Sequence, residues 1–72
     1  MNDMSTHELV SIAVQSAEGK NTSRFQDALT GLREKPREDL LQGISSIIIH
    51  LKQKGINGSF MESAEQIFNT LK

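Results

Sequence analysis

Between Pro36 and Gly55 the apolar residues Leu40, Leu41, Ile44, Ile47, Ile48 and Leu51 recur at spacings of three and four. That period puts them on one face of an α-helix. Both ends of the stretch carry boundary signals. Pro36 suits the first helical position, because its missing N–H has no intrahelical partner there. Glu38 and Asp39 follow at the positive end of the helix dipole, and Lys52 and Lys54 sit at its negative end. Gly55 fits the left-handed residue that closes such a helix, with Ile56 placed to touch Leu51. A helix over 36–54 would span roughly 28 Å at 1.5 Å per residue. Ile44, Ile48 and Leu51 are expected to be nearly fully buried. The run Ile47-Ile48-Ile49 alone would suit a strand, but the helical spacing and end signals outweigh it.

The other segments are shorter and repeat the same logic. Ser5 and Glu8 have the spacing of a capping box, with Met4 and Leu9 spaced as a hydrophobic staple. The pattern predicts a helix over 6–18 that ends at Gly19, with Leu9, Val10, Ala13, Val14 and Ala17 in one stripe. Ile12 lies off that stripe. A second helix over 24–34 follows from Phe25, Ala28, Leu29 and Leu32. Ser23 is its expected N-cap, with Thr22 as the rival. Gly31 weakens that helix by up to about 1 kcal/mol against Ala. A fourth helix over 59–71 carries Phe60, Ala64, Ile67, Phe68 and Leu71, with Met61 at the edge of the face and Ser59-x-x-Glu62 as a third capping box. Short turns favour antiparallel neighbours. The reading is an all-α, compact four-helix domain covering 1–72.

Size sharpens this picture. A chain of 72 residues buries only about 60% of its unfolded surface, and small scaffolds usually add a disulfide, a metal or a partner. There is no cysteine, which excludes disulfides and thiolate metal sites. Helix packing and self-association remain. Around the third helix, Leu40 to Leu51 cover an arc about 120° wide, and Ile49 falls roughly 140° from its centre. Gly43 offers close approach to a neighbour. Ile49, Ile12 and Met61 lie off the main stripes and are the candidate protein interface.

Charge and candidate chemistry add little. The net charge of −1 exerts no general pull on nucleic acid or anionic membrane. No apolar run approaches the length of a membrane span, and 1–8 has no secretory-signal pattern, so the expected compartment is the cytoplasm. His7 and His50 have no metal-pairing companion three or four residues away. Ser45, His50 and Glu38 could be drawn as a triad, but most serine-bearing helical chains permit such a drawing. Glu38-Asp39 and Glu62 with Glu65 fit helix-end electrostatics and solvation. An acyl-carrier reading lacks the Asp-Ser-Leu-type attachment site. No catalytic residue, no metal site, no cofactor and no small-molecule substrate is therefore expected, and the protein is read as not an enzyme.

Arg24, Arg33, Lys35 and Arg37 gather around the second helix and the Pro36 break. They are the candidate nucleic-acid contacts of the alternative reading, a small DNA-binding regulator built on a helix-turn-helix. Against it, a one-residue break is shorter than the usual turn, and the helix that would read DNA opens with Glu38-Asp39. The run Gly19-Lys20-Asn21-Thr22-Ser23-Arg24, between two apolar helices, resembles the corresponding stretch of small enterobacterial biofilm and acid-stress regulators of the AriR type. The resemblance covers at most 8–51, needs gaps, leaves the helix from Ser59 unaccounted for and carries no functional residue over. It implies a helical, self-associating regulatory connector. The leading expectation is a non-enzymatic protein that binds another protein, itself first as a homodimer, through a helix face.

Overall fold

The computed structural model describes residues 4–71. Within them lie four α-helices and no strand: α1 (Thr6–Glu18), α2 (Thr22–Arg33), α3 (Arg37–Lys54) and α4 (Ser59–Leu71). The helices pack into a slab of 30 × 28 × 17 Å. α1 packs against both α2 and α3, while α4 lies chiefly on α3 with a lesser contact to α2.

The helix boundaries follow local chemistry. The Ser5 hydroxyl accepts from the Glu8 amide at 3.2 Å, and the Glu8 carboxylate accepts from the Ser5 amide at 3.1 Å, completing the expected capping box. α1 ends at Gly19, as expected. Gly19 has an ordinary φ of −85°, and Lys20 takes the left-handed conformation at φ 59°. The Lys20 amide then donates to Ala17 (3.2 Å) and the Asn21 amide to Ser16 (2.8 Å), which satisfies two carbonyls at the end of the helix. The Asn21 side chain caps α2 by accepting from the Arg24 amide at 3.2 Å. Asn21 therefore replaces Ser23 and Thr22 as the N-cap, and α2 begins two residues before the expected 24.

Pro36 is the N-cap of α3 rather than its first helical residue. Its ψ of 153° is extended, and its carbonyl accepts from Leu40 at 2.9 Å. Glu34, Lys35 and Pro36 thus form a three-residue connection, where a single-residue break was expected. Gly55 closes α3 as anticipated, at φ 72°, and the Ile56 amide donates to Leu51 at 2.9 Å. Ser59 opens α4 as a helical residue, not as its cap, since the Gly58 carbonyl accepts from Glu62.

One core runs through the slab. α1 contributes Leu9, Val10, Ala13, Val14 and Ala17; α2 contributes Phe25, Ala28, Leu29 and Leu32; α3 contributes Leu40, Ile44, Ile47 and Leu51. α4 adds only Ala64 and Ile67 to the fully buried set, while Phe60, Met61, Phe68 and Leu71 are half-buried against it. The stripes expected on α1 and α2 are buried as read. On α3 the buried arc is narrower: Ile48 is half-buried and Leu41 is exposed. Gly43 explains the tight seam on the other flank. A Cβ there would lie 2.9 Å from Leu32 Cδ2 and 3.2 Å from Thr6 Cγ2. It therefore admits side chains of α1 and α2, not a neighbouring backbone. α4 is held by an edge-to-face contact of Phe25 with Phe60 (centroids 5.0 Å apart) and by Gln26 Nε2 donating to Ser63 Oγ at 3.1 Å. The Arg37 guanidinium also donates to the Leu71 carbonyl at the α4 end.

Candidate functional site

The three candidate interface residues have different fates. Ile49 is 54% exposed, the most of any large apolar side chain among the described residues. Ile12 and Met61 are half-buried and pack against the core. They lie apart from Ile49, on other helices, and no single patch unites the three.

What surrounds Ile49 is more informative. The outer side of α3 and the adjacent edge of α4 form an open groove of about 440 Å³, lined by Ser45, Ile48, Ile49 and Lys52 of α3 and by Glu65, Phe68 and Asn69 of α4. Its lining is mixed: Ile48, Ile49 and Phe68 are apolar, Ser45 and Asn69 polar, and Lys52 and Glu65 supply one cation and one anion. Leu41, 36% exposed, stands two turns before Ile49 on the same side of α3. The helical period of α3 explains the arrangement. Core packing takes Leu40, Ile44, Ile47 and Leu51, so Leu41, Ser45 and Ile49 must turn away from α1 and α2. Leu41 and Phe68 lie on the apolar faces that spacing predicts, yet Leu41 is exposed and Phe68 is only half-buried. Their exposure could not be read from the sequence, because it depends on how far α4 overlaps α3.

A second cleft lies between α1 and α3, about 290 Å³, and it brings together two residues that sequence reasoning kept apart. His7 and His50 both line it, with Ser46 and the Glu18–Lys54 pair. His50 Nδ1 stands 2.8 Å from the Ser46 carbonyl, and Lys54 Nζ is 2.6 Å from Glu18 Oε2. Among the described residues no group of three His, Cys, Asp or Glu is arranged to hold a metal ion. Ser45 and His50 occupy different clefts on different flanks of α3, so the triad drawn from sequence is not assembled.

The basic residues are also dispersed. Arg24 and Arg33 are nine residues apart on α2, which at 100° per residue places them on opposite sides of it. Lys35 is half-buried, and Arg37 is engaged with the end of α4. The three-residue connection does remove the objection that the turn is too short for a helix-turn-helix. The acidic opening of α3 stays in place.

No helix among the described residues is long and apolar enough to cross a membrane. No protein-family model, curated protein or solved structure matches this chain.

Proposed function

We propose that this protein is a non-enzymatic regulator that acts by binding protein through the outer face of α3 and its groove with α4, with a second copy of itself as the first partner. The observation that carries the reading is the half-exposed Ile49 standing beside Ile48 and Phe68 in that groove. A single exposed isoleucine needs no explanation. An exposed isoleucine continuous with Ile48 and Phe68 in a groove, in a chain too short to cover all four of its apolar faces, is the usual ground for a partner. A two-fold dimer is the commonest solution.

Sedimentation equilibrium of the wild type and of Ile49→Lys at micromolar concentration tests it. The expected result is a dimeric wild type and a monomeric variant with unchanged helical circular dichroism. A dimeric Ile49→Lys of undiminished affinity would reject this face. The rival DNA-binding reading draws on the three-residue connection between α2 and α3. It predicts binding to duplex DNA that weakens steeply with salt, whereas association through an apolar groove depends weakly on salt.

A further inference from the structure

The outer stripe of α3 reads Glu38, Leu41, Ser45, Ile49, Lys52. Taken at 100° per residue, all five lie within about 40° of Ser45 on the helix surface. The stripe is symmetric about Ser45. Four residues to either side stand the two exposed apolar side chains, Leu41 and Ile49, and seven to either side stand an exposed anion and an exposed cation, Glu38 and Lys52. Among the described residues the one ion pair is Lys54 with Glu18, and neither Glu38 nor Lys52 is paired among them.

We infer that two copies of this protein associate through antiparallel α3 helices about a two-fold axis at Ser45, so that Leu41 packs beside the second copy's Ile49 and Glu38 meets its Lys52. This rests on the self-association proposed above and adds its geometry. The charge pattern is what commits the surface to a second copy: reversing the helix superimposes acid on base and apolar on apolar. A parallel pair would instead set Glu38 against Glu38 and Lys52 against Lys52. Antiparallel helices also oppose their macrodipoles favourably. Ser45 at the axis is small enough for the two backbones to come close, and the paired stripe is about 21 Å long. Each copy's α4 edge, with Glu65 and Phe68, flanks the contact.

The chain has no cysteine, so a single introduced thiol reports the register. Ser45→Cys places both thiols at the axis, and mild oxidation should give a disulfide-linked dimer. Gln53→Cys is the control. In this register its two copies stand about 24 Å apart along the axis, beyond disulfide reach, and it should stay unlinked. A charge exchange provides the second measurement. Glu38→Lys and Lys52→Glu should each self-associate about tenfold more weakly than the wild type, while their mixture forms a heterodimer at least as tight as the wild type. Circular dichroism confirms that each variant folds. A dimeric wild type whose Ser45→Cys form does not cross-link, or whose two charge variants show no preference for each other, overturns this register and leaves self-association standing. A wild type that sediments as a monomer overturns both.

Discussion

The two halves of the chain use their apolar residues differently. α1 and α2 fold back on each other and bury nearly all they have: Leu9, Val10, Ala13, Val14, Ala17, Phe25, Ala28, Leu29 and Leu32 are all inside. α3 and α4 carry a surplus. Leu41 and Ile49 are exposed, and Ile48, Phe60, Met61, Phe68 and Leu71 are only partly covered. The difference arises from position. α1 is flanked by α2 and α3, whereas α4 packs mainly on α3 and caps one side of the slab. α4, with one main neighbour, leaves part of its wide apolar face open. The first half is nearly sealed and shares its core with Ile44, Ile47 and Leu51 of α3, and the open side of the second half is where a partner would gain most from binding.

Paired phenylalanine truncations give the largest contrast. Phe25 is fully buried, so Phe25→Ala should cost about 3–5 kcal/mol, enough to unfold a domain of this size. Phe68 is half-buried, and Phe68→Ala should cost less than about 2 kcal/mol. Urea denaturation followed by circular dichroism measures both. Equal losses would erase the distinction between the halves.

Gly43→Ala tests the seam where the first half meets α3. The added methyl would press on Leu32 and Thr6. Leu32 is fully buried, so its Cδ2 can yield only by pressing on the core side chains around it. An overpacking cost of about 1–3 kcal/mol should exceed the roughly 1 kcal/mol gained in helix propensity. Thermal melting should show a lower Tm. A higher Tm would mean that α1 and α2 shift easily against α3 to accommodate the added methyl.

The smallest effect is expected at the end of α1. Lys20 holds a left-handed conformation that costs a non-glycine residue about 1–2 kcal/mol. Lys20→Gly should remove that strain, partly offset by the freer unfolded chain, and raise stability by about 0.5–1 kcal/mol. The same denaturation experiment reads it. A loss would show that the lysine side chain makes a stabilising contact on the α1–α2 side.

Much of this was legible in local chemistry. The Ser5 capping box, the Gly55 stop, and the apolar stripes of α1 and α2 each depend on residues within one or two turns. Such signals survive whatever the rest of the chain does. The boundary errors have local causes too, but competing ones. Asn21, not Thr22 or Ser23, caps α2, because its side chain is the one that reaches the Arg24 amide. Pro36 takes the cap position because its ψ is extended.

The sequence by itself determined four helices, their order, and the residue on α3 most clearly outside the core, Ile49. It also held the alternation of Glu38, Leu41, Ser45, Ile49 and Lys52, which has no meaning until α3 is known to expose that side. The tertiary structure alone decided that Leu41 is exposed while Leu40 is not, that Ile48 and Phe68 line a groove, that His7 and His50 share a cleft, and that Arg37 reaches the Leu71 carbonyl at the end of α4. Periodicity records the direction of a side chain around its own helix. It does not record how far a neighbouring helix reaches over it, and that overlap is set by long-range packing such as Gly43 against Leu32 and Phe25 against Phe60.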